Sequence, residues 1–164
     1  NITARNKLHS IFNFFKQKET LLNIESLVNV CEKLGSSHTG ALIVLEHNVP
    51  LNFVTETGDK MNLEFSEPII ESIFYKNSPL HDGAIVIRGN TIVATRVILP
   101  VAAEDTLPKR YGLRHRAAVS ITEKTDATAL VVSEETGHIS YFKNGNFVRF
   151  ANEEELIKMI QEDN

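Results

Sequence analysis

The sequence predicts a single α/β domain in which helices flank a mixed central β-sheet. Apolar residues recur at helical spacing through the first 36 residues, which favours helices in that part of the chain. A continuous apolar run of strand length follows at residues 40–45. Later, Gly89-Asn90 and Asn144-Gly145 each separate two strand-like runs, as hairpin turns do. Helices early in the chain and hairpins late in it together favour a mixed sheet.

Length and composition are those of one soluble globular domain. The chain has 164 residues, of which 42% are hydrophobic and 23% charged. A net charge of -4 argues against a nucleic-acid surface spread over the molecule, so no nucleic-acid partner is expected. Cys31 is the only cysteine, which excludes an intrachain disulfide and a cysteine-rich zinc site. No apolar run reaches the roughly 18 residues of a membrane helix.

The first two helices are predicted from two sets of apolar residues at helical spacing. The first set is Leu8, Ile11, Phe12 and Phe15, and the second is Leu21, Ile24, Leu27, Val28, Cys31 and Leu34. The second set stops before Gly35, a common residue at a helix end. We therefore expect residues 1–36 to form an N-terminal helical segment that packs on a domain comprising residues 37–164.

The middle of the chain alternates between predicted strands and helices. After the strand at 40–45, residues 51–54 are predicted to form a shorter strand. Ser66-Glu67-Pro68 predicts a helix start, because serine caps helices and proline is favoured in the first turn. The apolar face of that helix is formed by Ile69, Ile70, Ile73 and Phe74.

The second half is predicted to be rich in hairpins. Strands are expected at residues 84–88, 91–99, 128–133, 138–142 and 147–150. A polar loop from 104 to 112 leads into a helix that begins near Arg114. The last helix is predicted from Asn152 and Glu155, which have the spacing of a capping box.

Three polar clusters lie at the ends of these predicted elements, where α/β folds tend to expose functional groups. The first is Leu80-His81-Asp82-Gly83-Ala84, directly before an apolar strand. A plain turn is an alternative interpretation, because Asp-Gly is a favoured turn dipeptide. The sequence contains no Walker A loop, no G-x-G-x-x-G, no G-x-S-x-G and no H-E-x-x-H motif, so standard NTPase, Rossmann and hydrolase classes lose support.

The second cluster is basic and precedes a helix. It runs from Lys109 to Arg116 and includes Arg110, Arg114 and His115. Cations interact unfavourably with a helix N-terminus, whereas free N–H groups there favour an anion, so the pattern favours a phosphate site. A solvated basic loop is the alternative.

The third cluster, Ser133-Glu134-Glu135-Thr136-Gly137, follows an apolar run. Because adjacent strand residues point to opposite faces, we expect only one of the two glutamates to enter a shared site. Arginines for phosphate, together with acids and a histidine for a metal, suit phosphoryl or nucleotidyl transfer.

With LHDGA, GLRHRAA and VVSEETG in this order, the chain resembles the diadenylate cyclase domain, which makes cyclic di-AMP. The likeness extends from about Thr39 to Gly145. TGAL and SEETG bring the sequence nearest to the membrane-anchored CdaA-type branch of that family. The resemblance implies the diadenylate cyclase fold. It also implies condensation of two ATP molecules into cyclic di-AMP with release of two pyrophosphates.

The resemblance also implies roles for individual residues. Asp82 would help to activate the attacking 3′-hydroxyl, and Gly83 and Ala84 would shape the nucleotide contact. The phosphates would be held by Arg114, His115 and Arg116, with Ser133 and Leu113 close by. Leu42 and Leu99 would line the adenine pocket, although both fit a plain core equally well. His81 and Glu135 would bind a divalent ion, Mn²⁺, Co²⁺ or Mg²⁺, with Glu134 as a nucleotide-binding residue and weaker metal ligand.

Partners follow from the same resemblance. ATP is the expected substrate, and a product with two equivalent linkages is most simply made by a homodimer. The full-length protein is expected to be anchored to the cell membrane by a segment that precedes this cytoplasmic domain, with a membrane-associated regulator as a further partner. The sequence departs from the family at Leu113, where threonine is usual, and at Ile98, where an aromatic residue can occur. Two alternatives therefore stay open: a non-catalytic nucleotide-sensing module, and an interaction domain whose basic loop binds an acidic protein.

Overall fold

The structure, a computed structural model, describes residues 3–8, 21–101 and 107–164. The helices are α1 (residues 3–8), α2 (Ile24–Ser36), α3 (Asn52–Thr55), α4 (Glu67–Phe74), α5 (Leu113–Lys124) and α6 (Glu153–Asp163). The strands are β1 (Ala41–Glu46), β2 (Asp59–Glu64), β3 (Ala84–Arg88), β4 (Thr91–Val97), β5 (Thr128–Val132), β6 (Ile139–Lys143) and β7 (Asn146–Val148).

These strands form one sheet in the order β2-β4-β3-β1-β5-β6-β7. β1 and β3 run parallel, and the other neighbouring pairs run antiparallel. The predicted mixed sheet and both predicted hairpins are therefore confirmed.

Both faces of the sheet are covered by helices. Along β1, Ile43 belongs to the core cluster shared with α2, α4 and α6, whereas Leu42 and Val44 belong to the cluster shared with α5. A strand buried on both faces reads as a continuous apolar run, which is why residues 40–45 show no alternation. Because α2 contributes to the same core as the strands, it belongs to the folded unit, and the boundary predicted at residue 36 stays a prediction.

Two elements differ from the sequence prediction. Residues 51–54, predicted as a strand, lie largely in the short helix α3, whose N-cap residue Leu51 and helical residue Val54 are both buried. Strand β2 was not predicted, because its residues are mostly polar and only partly covered. It is an edge strand, and its pairing with β4 depends on contacts that are distant in sequence.

The helix starts follow the predicted capping residues. Ser66 accepts from the N–H of Ile69 at the start of α4, and Asn152 accepts from the N–H of Glu155 at the start of α6. The Glu155 carboxylate accepts from Ala151, one residue before the partner that a capping box specifies. Leu8 lies in α1, whereas Ile11, Phe12 and Phe15 lie outside the described residues.

Candidate active site

The three polar clusters meet at one edge of the sheet. In the ladder, Ala41 at the start of β1 pairs with Val132 at the end of β5, and Ala84 at the start of β3 pairs with Val97 at the end of β4. Since β1 and β3 are adjacent and parallel, their first residues lie side by side. The turn before β3 and the turn after β5 are thereby brought to the same edge, next to the N-terminus of α5.

A cavity of about 800 Å³ opens at this edge, within the size range of small-molecule sites. The predicted site residues that line it are Leu42, Asp82, Gly83, Leu99, Leu113, Arg114, His115, Ser133, Glu134 and Glu135. His81, Ala84 and Arg116 are not part of the lining. Leu42 and Leu99 are buried members of the hydrophobic core, and each also lines the cavity.

Asp82 projects from the turn that precedes β3, with 83% of its side chain exposed. Gly83 has φ +80, a conformation that residues with a side chain rarely adopt. Ala84 is the first residue of β3 and is fully buried, so its role is to anchor the turn to the sheet. The carboxylate of Asp82 is thus presented to the cavity by a rigid support.

His81 is oriented by the same turn. Its Nδ1 lies 2.7 Å from the carbonyl oxygen of Ser78, and because a carbonyl only accepts, Nδ1 is the donor. Nε2 is left facing Oδ1 of Asp82 at 3.2 Å. An imidazole nitrogen and a carboxylate side by side are two groups that one bound cation can join.

The N-terminus of α5 supplies the basic part of the cavity. Gly112 is the N-cap residue and has no side chain that could accept from the first-turn N–H groups. Arg114, in that first turn, has a half-buried side chain whose Nη1 lies 3.6 Å from Oε2 of Glu134. Leu113 is the first residue of the helix and is 77% exposed. A hydroxyl at position 113 would therefore lie inside the helix and not at the cap.

His115 is buried and packs against aromatic rings. Its ring centroid lies 5.1 Å from that of Tyr111 and 6.2 Å from that of Phe142. Burial, and secondarily the charge of Arg114, lower the pKa of His115 below its usual value of 6.5. Near neutral pH it is an uncharged group at the cavity wall, and it adds no positive charge for phosphate.

Arg116 does not line the cavity. Its Nε donates to the carbonyl oxygen of Tyr111 at 3.2 Å, and its Nη2 donates to that of Pro108 at 3.3 Å. Residues two apart on a helix lie about 200° apart around its axis, so Arg114 and Arg116 face opposite ways. In this conformation Arg116 holds the loop before α5, and its phosphate contact stays a prediction.

The third cluster forms a turn, not the end of a strand. The hydroxyl oxygen of Ser133 accepts from the N–H groups of Glu135 and Thr136, both at 3.2 Å. Both Glu134 and Glu135 line the cavity, because a turn does not alternate its side chains as a strand does. The expectation that only one glutamate would enter the site was therefore wrong.

Helix α2 supports this turn from behind. A Cβ added to Gly137 would lie 2.3 Å from the carbonyl oxygen of Gly35, so the two backbones are in direct contact. Nδ1 of His38 lies 3.1 Å from the carbonyl oxygen of Glu135. The end of the N-terminal helical segment thus fixes the position of the acidic turn.

The sequence did not single out several lining residues. Among them are Val97, Val101, His138 and Ser140. Arg110 also lines the cavity, and its guanidinium lies 4.9 Å from the centroid of the Tyr111 ring. Arg110 and Tyr111 belong to the basic cluster found in the sequence. His138 and Ser140 lie in the turn before β6 and in β6, and no sequence pattern indicated them, because the position of β6 depends on the order of strands in the sheet.

The donor set fits a divalent ion in part. Nε2 of His81 and the carboxylate of Asp82 place a nitrogen and an oxygen donor side by side, a combination that suits Mn²⁺ or Co²⁺. Across residues 3–8, 21–101 and 107–164, no group of three or more His, Cys, Asp or Glu side chains could hold a metal ion. Glu135 on the cavity wall, phosphate oxygens and water would have to supply the remaining ligands.

Comparison with known proteins identifies the family. The sequence model of the DAC family, described as DisA bacterial checkpoint controller nucleotide-binding, matches residues 28–147. This chain belongs to the diadenylate cyclase family. The family inferred from the three motifs is thereby confirmed, and the match includes all three.

The matching relatives are named either diadenylate cyclase or cyclic di-AMP synthase. Diadenylate cyclase CdaS from Bacillus thuringiensis is 43% identical over 119 residues, which cover 73% of this chain and 59% of that protein. Cyclic di-AMP synthase CdaA from Bacillus subtilis is 38% identical over 138 residues, which cover 84% of this chain and 50% of that protein. The chain thus spans about half the length of the curated relatives it matches.

A solved structure of the family has the same fold. A double mutant of DacA from Staphylococcus aureus is 37% identical and superposes with a TM-score of 0.81, covering 85% of this chain and 93% of that one. The predicted diadenylate cyclase fold is therefore confirmed. Within the part of the chain that the structure describes, no helix has both the length and the apolar character needed to cross a membrane.

Proposed function

We propose that this chain condenses two ATP molecules into cyclic di-AMP and releases two pyrophosphates. One observation carries the proposal: the Asp82 turn, the N-terminus of α5 and the Ser133–Gly137 turn surround a single cavity of about 800 Å³. One bound nucleotide could therefore contact the carboxylate of Asp82, the N-terminus of α5 and the carboxylates of Glu134 and Glu135.

The chemistry assigned to each group follows from its position. The free N–H groups of α5 and the guanidinium of Arg114 would bind phosphate oxygens and stabilise the charge that develops on the departing pyrophosphate. Asp82, exposed at the mouth, would accept the proton of a 3′-hydroxyl as that oxygen bonds to the α-phosphorus. The bond from the α-phosphorus to pyrophosphate breaks in the same step. Leu42 and Leu99 offer apolar walls for adenine.

A divalent ion, Mn²⁺, Co²⁺ or Mg²⁺, would neutralise phosphate charge when bound. His81 and Glu135 are the residues we propose to hold it. His81 is already oriented by Ser78, whereas Glu135 lies on the cavity wall.

The proposed reaction needs two protomers, because each nucleotide must supply one hydroxyl and one α-phosphate. The apolar residues at the cavity mouth support an arrangement in which a partner covers them. Ile98 is 68% exposed, Leu113 is 77% exposed, and Val101 is also exposed. Apolar groups grouped around a site are typical of contact surfaces.

We also propose that a segment outside the present sequence anchors the full-length protein to the membrane, with this domain in the cytoplasm beside a membrane-associated regulator. The support is the resemblance to the CdaA-type branch, together with the half of CdaA that lies outside the matched part. Fractionation of cells expressing the full-length protein tests this, and recovery in the soluble fraction alone would contradict it.

The decisive experiment is incubation of the purified chain with ATP and Mn²⁺, Co²⁺ or Mg²⁺, followed by mass spectrometry for cyclic di-AMP. Specific activity should rise with protein concentration, because dilution separates the protomers. Nucleotide binding without product at any concentration would favour the sensing module instead. Neither binding nor product would favour the interaction domain.

A further inference from the structure

We infer that Gly40 is a positioning residue for Arg114: the side chain it lacks leaves the space in which the guanidinium lies. The inference rests on the proposed function, in which Arg114 binds phosphate. Gly40 immediately precedes β1 and is buried at the sheet edge that carries the cavity.

The guanidinium lies flat against the Cα of Gly40. A Cβ built on Gly40 would be 2.5 Å from Nη1 of Arg114, 2.6 Å from its Cζ and 3.0 Å from its Nη2. Real Cβ atoms do not approach other heavy atoms so closely, so any residue other than glycine would displace the guanidinium. Three of its atoms face the same point, which means that one whole face of the group rests on the backbone.

The backbone of Gly40 does not itself require glycine. Among the glycines with positive φ are Gly83, Gly89, Gly137 and Gly145, and Gly40 is not one of them. Alanine could therefore adopt the same backbone conformation without strain. The requirement for glycine at this position comes from the space that Arg114 occupies.

Two contacts fix the guanidinium before any ligand binds. Gly40 lies against its face, and the Glu134 carboxylate lies 3.6 Å from Nη1. Glu134 is well exposed, so this pair is weak and can yield to a phosphate. A planar guanidinium held in one orientation can donate two parallel N–H groups to a phosphate. Because the long side chain is already ordered, less conformational entropy is lost when the phosphate binds.

A purely structural role for Gly40 makes a different prediction. If Gly40 served only the packing of β1, alanine would reduce binding whether or not Arg114 were present. If Gly40 acts through Arg114, the effect of alanine should disappear once the guanidinium is removed. A double-mutant cycle separates the two roles.

The experiment measures the Kd of a non-hydrolysable ATP analogue by calorimetry for the parent, Gly40→Ala, Arg114→Ala and the double variant. We expect Gly40→Ala to weaken binding about tenfold, as for the loss of one well-aligned charged hydrogen bond. Arg114→Ala should weaken binding at least as much. The double variant should bind no more weakly than Arg114→Ala alone.

Additive losses in the cycle, or unchanged binding in Gly40→Ala, would overturn the inference while leaving the proposed function intact. Failure of the parent to bind the analogue would overturn both. If Gly40→Ala does not fold, the inference requires that the double variant melt at the temperature of Arg114→Ala, because the three atoms nearest to the added Cβ all belong to Arg114. A double variant that stayed unfolded would refute the inference.

Discussion

Gly83 and Arg96 pack against each other through their backbones, and both have positive φ, +80 and +51. A Cβ on Gly83 would lie 2.9 Å from the carbonyl carbon of Arg96. Arg96 sits where the ladder between β3 and β4 changes register, between the pairs Ala84–Val97 and Val86–Ala94. Its guanidinium is held by Asp59 of β2. The bulge in β4 therefore supports the turn that presents Asp82.

The left-handed conformation of Arg96 gives a prediction about stability. Arg96→Gly and Arg96→Ala both lose the pairing with Asp59, but only glycine adopts φ +51 without strain. We expect the glycine variant to be more stable than the alanine variant by roughly 1 kcal/mol. Urea denaturation of both variants measures the difference in the free energy of unfolding.

Thr91, at the start of the same strand, is the matched control. Its ladder pairs are regular, so Thr91→Ala should be more stable than Thr91→Gly by about 0.5–1 kcal/mol, the usual order in a strand. If Arg96→Ala is more stable than Arg96→Gly, the bulge relaxes on substitution and does not hold the turn.

The catalytic assignment of Asp82 is tested by Asp82→Asn. The substitution keeps the size of the side chain but removes the charge that accepts a proton, so product formation should fall at least about 100-fold. Binding of an ATP analogue should be retained, because Arg114 and the N-terminus of α5 are unaffected. Product is followed by mass spectrometry and binding by calorimetry.

Two further variants complete this comparison. Arg114→Ala should weaken analogue binding itself, whereas Glu154→Gln, an exposed carboxylate on α6, should change neither quantity. Near-normal turnover in Asp82→Asn would mean that the plain-turn interpretation of His81-Asp82-Gly83 was right.

Leu113→Thr tests the departure from the family pattern. Because Leu113 is exposed at the first helical position, the fold should tolerate the change. A hydroxyl beside the phosphate site should strengthen binding of the ATP analogue by up to about 1 kcal/mol, the value of one ordinary hydrogen bond. Leu113→Val has a similar branched shape without the hydroxyl and serves as the control. Equal affinities of the threonine and valine variants would exclude a contact between this hydroxyl and the nucleotide.

The buried imidazole of His115 predicts a stability loss in mild acid. Burial lowers the pKa of His115 in the folded state below the unfolded value of about 6.5, so the unfolded chain binds the proton first. Stability is therefore complete above about pH 6.5 and declines as the pH falls through the window below it. His47, whose pKa is also lowered by burial, contributes in the same direction.

His115→Phe removes the titrating group and keeps a ring against Tyr111 and Phe142. Chemical denaturation at pH 8, 6.5 and 5 should show a smaller decline for this variant than for the parent. The remaining decline is the contribution of His47 and of the carboxylates. Identical slopes in the two proteins would mean that His115 is protonated without cost in the folded state.

Local patterns in the sequence determined most of the secondary structure. The caps at Ser66 and Asn152 and the hairpin at Gly89-Asn90 depend on neighbouring residues, and all three were predicted correctly. The prediction failed at α3 and at β2. A short apolar run such as residues 51–54 fits either a strand or a helix, and an edge strand of polar residues has no apolar pattern to reveal it.

The sequence by itself determined which chemical groups this protein has for its site. Three motifs in a fixed order were enough to predict the family by resemblance. Each motif lies at the end of an element, where side chains can meet a ligand. Only the tertiary structure decided which way those side chains point. Regular helix geometry puts Arg114 and Arg116 on opposite sides of α5, but only the packing of α5 against the sheet turns the Arg114 side toward the cavity. The Gly40 backbone that the Arg114 guanidinium packs against is more than 70 positions from Arg114 in sequence. The two residues are in contact only because the start of β1 and the start of α5 meet at one edge of the sheet.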